Sequence, residues 1–141
     1  MQYLCNKTKS ELYPTDPKKR AVVDRMLQFD QGTLYKSMGE YMLPQLFMKA
    51  APDEEKNQKF KDALTLLDNF IGSNGYVAGD KMTIADLSIF SGLTFVEALL
   101  GYDLTAWKNI DMWMAKLKVL PYHEEINEKA FEKMKNWLKT K

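Results

Sequence analysis

The run from Ile84 to Leu100 constrains this chain more than any other feature. It is apolar nearly all round, with Asp86 and Glu97 its only ionisable residues. A helix of that pattern has no face to offer water and belongs inside a bundle. The two acids and several hydroxyls make it a poor membrane span. In front of it, Thr83-Ile84-Ala85-Asp86 reads as a capping box. The Thr83 hydroxyl can accept from the Asp86 backbone N–H, while the Asp86 carboxylate reaches back to the Thr83 N–H. Met82 and Leu87 occupy the two staple positions flanking such a box. A buried helix start cannot leave its first N–H groups to water, so satisfying each internally saves about 1–3 kcal/mol. Thr83 and Asp86 are thereby given a structural role, not a catalytic one.

The remaining periodicity is helical almost throughout. Gln2 to Lys9 forms a helical scrap, followed by a loop with Pro14 and Pro17. Asp16 is placed to cap a helix whose first residue is Pro17, where the missing N–H costs nothing. That helix is expected to reach about Met48, with a kink or break near Pro44. After Pro52, the acids Asp53, Glu54 and Glu55 suit the positive end of a helix dipole. Phe60, Ala63, Leu64, Leu67, Phe70 and Ile71 then mark one buried face, closed by Gly72. Ser73 to Lys81 is a turn-rich connection. Trp107, Ile110, Trp113, Leu117 and Leu120 mark a further helix ended by Pro121. Tyr122 to Leu138 is the last, with Ile126, Ala130, Phe131, Met134 and Leu138 expected inward. Five helices and a scrap without strands predict an all-α bundle.

Composition narrows the function classes. A length of 141 residues argues for one domain able to bury a core without metal or disulfide. Twenty Lys and Arg against nineteen Asp and Glu leave a net charge of +1, which gives no pull toward nucleic acid or anionic lipid. Lys18-Lys19-Arg20 is too short for a nucleic-acid patch and reads as a solvated face. A single Cys and a single His exclude zinc sites built from clusters of those residues, so no metal is expected. His123 reads as exposed or locally bonded, and nothing near Cys5 argues for a lowered pKa. The opening residues carry no basic-then-apolar leader pattern. A cytoplasmic protein without nucleic-acid or membrane partners is the expectation.

Three segments carry a resemblance. Tyr76-Val77-Ala78 followed by Gly79-Asp80-Lys81-Met82-Thr83-Ile84-Ala85-Asp86-Leu87-Ser88 resembles the helix-capping segment in the C-terminal domain of cytosolic glutathione transferases. Leu12-Tyr13-Pro14-Thr15-Asp16-Pro17-Lys18-Lys19-Arg20-Ala21 and Phe29-Asp30-Gln31-Gly32-Thr33-Leu34-Tyr35 resemble the insect delta and epsilon classes, delta more closely. The resemblance implies a C-terminal α-helical domain over residues 10–141. It also implies that residues 1–9 are a remnant of the last helix of a thioredoxin-like domain otherwise absent here. In the family that domain supplies most of the glutathione site and the thiolate-stabilising hydroxyl. No catalytic residue is therefore expected in this chain, and alone it should be weakly active or inactive.

By the same resemblance, Tyr35, Met38, Tyr41, Met42 and Leu43 fall where the insect enzymes place pocket residues for hydrophobic electrophiles. The three non-aromatic members imply a softer wall. Core packing alone is the competing reading of that stripe. Asp30 falls where the family holds the amino end of the co-substrate glutathione across the dimer, although a locally paired carboxylate would look the same. Gly32 and Gly39 are seven apart, and that face is expected near a dimer partner. Apolar surface left bare on the first loop, the long helix from Pro17 and the helix around Trp113 predicts a homodimer or a partner of the same fold. The alternatives are a non-catalytic interaction module of the translation-factor or scaffold type, and a binder of hydrophobic small molecules.

Overall fold

The computed structural model describes residues 1–140; Lys141, the last position of the expected 10–141 unit, lies outside the described residues. Among the described residues seven α-helices succeed one another: α1 Gln2–Thr8, α2 Pro17–Phe29, α3 Tyr35–Met48, α4 Glu54–Ile71, α5 Ile84–Leu100, α6 Lys108–Lys118 and α7 Lys129–Lys139. Among the described residues there is no strand, only an isolated bridge between Tyr76 and Gly79. Among the described residues no helix is long and apolar enough to cross a membrane.

The helix starts are chemical. Asp16 caps α2 by accepting from the Lys19 N–H at 2.9 Å, with Pro17 in the first turn. Asp53 caps α4 through the Lys56 N–H at 3.1 Å. Helix α6 has no cap of its own. Asp68 on α4 supplies one, its Oδ1 accepting from the Asn109 and Ile110 N–H groups at 2.9 and 3.0 Å. Helix α4 buries Phe60, Ala63, Leu64, Leu67 and Ile71, the face its periodicity marks. It packs along α3 and against α6, while α2 and α3 both pack on α5.

Helix α5 is the axis of the core, with Ile84, Ile89, Leu93 and Val96 buried. Its capping box is formed, and Asp86 is completely buried. The carboxylate accepts from the Thr83 N–H (2.8 Å), the Thr83 hydroxyl (3.0 Å), the Val77 N–H (2.9 Å) and Trp113 Nε1–H (2.9 Å). The first loop is fastened to the same point, because the Ile84 N–H donates to the Leu12 carbonyl at 3.0 Å. One side chain thus joins the 73–81 connection, the start of α5 and the middle of α6.

Four expectations are corrected. The long helix does not break at Pro44, which lies inside α3; the rod instead carries a π-turn at Asp30–Leu34. The Glu40 carbonyl left without its usual donor by Pro44 belongs to an exposed residue, so water can take that place. A second π-turn at Glu124–Glu128 introduces the last helix. A π-turn admits an extra residue and rotates the helix beyond it, so Ile126 and Ala130 are exposed and no α7 residue is fully buried. Of the two readings of His123, exposed or locally bonded, the first fails: it is buried at 5% exposure, its ring 5.1 Å from Phe90 and its Nε2 3.5 Å from Glu128 Oε1. Arg20 is not simply solvated: its Nε donates to the Pro14 carbonyl at 2.7 Å and its guanidinium lies over the Tyr13 ring.

Candidate functional site

The π-turn in the α2–α3 rod sets the site. It lodges Asp30, 7% exposed, between the rod and α5, where Ser88 Oγ–H donates to Asp30 Oδ2 at 2.6 Å. Oδ1 of Asp30 accepts no hydrogen bond from the described residues. Burial pushes the Asp30 carboxyl above its ordinary value of 3.8, and the Ser88 hydrogen bond partly opposes this.

Beside Asp30 opens a cavity of about 400 Å³ bounded by the rod, α5 and α7. Its apolar walls are Tyr35 and Met38 from α3, Phe95 from α5 and Phe131 from α7. Asp30, Gln31, Ser88 and Ser91 form its polar end, and Gly92 contributes backbone. Helix α7 closes one side through the Phe95–Phe131 ring pair, centroids 5.8 Å apart. A second ring pair, Phe47–Trp137 at 6.4 Å, fastens α7 to the end of α3. The volume suits a small organic molecule.

The sequence-predicted residues divide. Asp30, Tyr35 and Met38 meet in this cavity. Tyr41 and Met42 are buried elsewhere in the core, with Tyr41 stacked on Phe60 at 6.4 Å and edge-on to Tyr102 at 5.8 Å. Leu43 is exposed and does not line the cavity. Beside Gly32 a Cβ would meet nothing within 4 Å, and beside Gly39 only the Leu43 side chain, so no other helix of this chain closes on either. Among the described residues, no group of three or more His, Cys, Asp or Glu is arranged to hold a metal ion.

Sequence reasoning missed Ser88, Ser91, Gly92, Phe95 and Phe131. The signal was present in α5. Ser88, Ser91 and Gly92 fall at i, i+3 and i+4, a notch of small residues on one face of an otherwise bulky helix, with Phe95 at i+7 closing its end. A second concavity of about 500 Å³ lies between the 9–16 loop and the 78–83 connection. Its rim balances Lys9, Lys19 and Lys81 against Glu11, Asp16 and Asp80.

An all-helical unit with a capped central helix and an apolar cleft beside a buried carboxylate defines a class. The chain belongs to the glutathione S-transferase C-terminal domain family, whose model matches residues 23–117. Among similar solved structures is a delta-class glutathione transferase of Nilaparvata lugens. It is 41% identical with a TM-score of 0.89, the match covering 99% of this chain and 66% of that one. A Bombyx mori glutathione transferase is 35% identical with a TM-score of 0.89, over 96% of this chain and 64% of that one. A diazinon-metabolizing glutathione S-transferase of the silkworm Bombyx mori is 28% identical with a TM-score of 0.81, over 94% and 64%. The chain therefore spans about two thirds of the length of these relatives. It is a delta-like glutathione transferase C-terminal domain.

Proposed function

We propose that this chain supplies the electrophile-binding wall of a glutathione-conjugating detoxification enzyme. The observation that carries the reading is the cavity itself, whose walls are aromatic and thioether groups from three helices. In the conjugation, a glutathione thiolate attacks an electrophilic carbon and displaces its leaving group. Held beside that thiolate, an apolar electrophile reacts as if at high local concentration. Met38 and the two Phe rings discriminate among apolar shapes only by about 1–3 kcal/mol per methylene. That weak discrimination suits a broad range of substrates, and one silkworm relative is described as metabolizing diazinon.

The hydroxyl that stabilises the thiolate lies, by resemblance, in a thioredoxin-like domain, so these 141 residues alone conjugate weakly or not at all. Members of the family are dimers, and the open faces at Gly32 and Gly39 suit close approach of a second subunit. Exposed Tyr3 and Leu4 on α1 suit an apolar contact with another part of the assembly. Asp30 is the group we assign to the amino end of glutathione. The three relatives are all glutathione transferases, and none supports the scaffold reading.

The test joins this chain to the thioredoxin-like domain of the Nilaparvata lugens relative and measures conjugation of 1-chloro-2,4-dinitrobenzene. Met38→Ala and Phe131→Ala are expected to raise the KM for the electrophile and leave that for glutathione. An unchanged electrophile KM in both variants would overturn the reading.

A further inference from the structure

The connection between α4 and α5 opens with a single 3₁₀ turn, Gly72–Asn74, that buries none of its residues. Asn74, the last of them, is exposed, and its side chain makes no hydrogen bond among the described residues. Gly75 follows in the left-handed region at φ 82°. With no Cβ, it leaves its amide nitrogen open to approach from the preceding side chain. That N–H donates to the Ile71 carbonyl at 3.4 Å, longer than an ordinary hydrogen bond and easily given up. A turn with so little buried opens locally at small cost. Lys116 Nζ, seated 3.7 Å from the Tyr76 ring centre, comes within 3.6 Å of the space a Gly75 Cβ would take. A positive charge there favours loss of the Gly75 amide proton. The other six asparagines lie in longer helical segments and precede larger residues.

We propose that Asn74 is a self-modification site, converted through a cyclic imide to aspartate and isoaspartate. The Gly75 amide gives its proton to solvent, and its nitrogen attacks Asn74 Cγ. The new N–Cγ bond closes a ring, the Cγ–Nδ2 bond breaks, and Nδ2 leaves as ammonia with a proton taken back from solvent. Water then opens the ring at either carbonyl. Cleavage of N–Cγ gives aspartate, and cleavage of the original peptide bond gives isoaspartate. Nothing is oxidised or reduced. Either product puts a carboxylate where an amide stood, so the net charge of the chain falls from +1 to zero. The isoaspartyl product also threads the backbone through one extra methylene between Ile71 and Val77, both of them buried. The site stands apart from the cavity beside Asp30 and does not depend on what that cavity binds.

The test incubates the full chain in neutral buffer at physiological temperature. A species shifted by one negative charge on isoelectric focusing is expected to accumulate over days, with the mass gain of NH₂ replaced by OH. In the tryptic peptide spanning 62–81 that gain should fall on Asn74, while Asn69 of the same peptide, inside α4, stays intact. Protein isoaspartate methyltransferase with S-adenosylmethionine should label the same peptide. Conversion should quicken from mildly acid to mildly basic medium, since the Gly75 proton must leave first. Asn74→Gln, whose larger ring closes far more slowly, should abolish the acidic drift. No gain at Asn74 beyond that at Asn69, or the same drift in Asn74→Gln, would overturn the proposal. Aspartate formed without isoaspartate would overturn the imide route.

Discussion

Replacing Asp86 by Ala removes the acceptor shared by the Val77 N–H, the Thr83 N–H, the Thr83 hydroxyl and Trp113 Nε1–H. The hydroxyl can turn elsewhere. The three N–H donors cannot, and Asp86, Val77 and Trp113 are all buried. At about 1–3 kcal/mol per stranded donor, the gross loss is about 3–9 kcal/mol. A water entering the vacated space can satisfy one or two donors, which brings the expected loss to about 3–5 kcal/mol. Against a typical stability of about 5–15 kcal/mol for a whole domain, that is a large fraction. Asp86→Asn keeps the shape but turns one acceptor into a donor facing donors, for an expected loss of about 2–3 kcal/mol. Trp113→Phe removes one charge-assisted hydrogen bond and is expected to cost about 1.5–3 kcal/mol. The double variant should fall well short of the sum, since both changes break the same contact. Urea unfolding monitored by far-ultraviolet circular dichroism measures the parent and each variant. An Asp86→Ala loss below about 1 kcal/mol would refute the reasoning, because no orphaned buried donor costs so little.

Three further outcomes are expected from the same structure. Asp68→Ala strips α6 of the carboxylate that accepts from two of its first N–H groups and from Asn109 Nδ2, and should cost about 1–2 kcal/mol in the same unfolding assay. Asp30 has a raised folded-state value, so its stabilising contribution is complete below the ordinary 3.8 and is lost as pH rises through that raised value. Asp30→Asn should therefore gain stability relative to the parent as the medium goes from acid to neutral; a difference independent of pH would contradict this. Helix α7 buries no residue fully, so its amides should exchange with deuterium well before those of α5, and comparable protection in both would show tighter docking than the packing implies.

Local chemistry was legible where sequence neighbours carry it. Thr83 and Asp86 stand three apart and need nothing distant to form their box, and Asp16 and Asp53 cap helices that start within the next residues. The distant halves were not legible. That Asp86 also accepts from Trp113, and that Asp68 caps α6, depends on how α4, α5 and α6 pack. The π-turns defeated the periodic reading for a different reason. The inserted residue lodges Asp30 between the rod and α5. Tyr35, Met38, Tyr41 and Met42 all follow it in one regular helix, and only the neighbours each meets put the first two at the cavity and the last two in the core. In the last helix the same device turned Ile126 outward, and the preceding connection buried His123 against Phe90. A uniform 3.6-residue period contains neither event.

The most direct measurement is a methyl-resolved NMR titration of this chain with 1-chloro-2,4-dinitrobenzene and no glutathione. Shifts should appear first at the Met38 methyl and the Phe95 and Phe131 rings, with the Ala78 and Met82 methyls of the second concavity unmoved. Shifts confined to that second concavity, or none near Met38 at saturating ligand, would contradict the account.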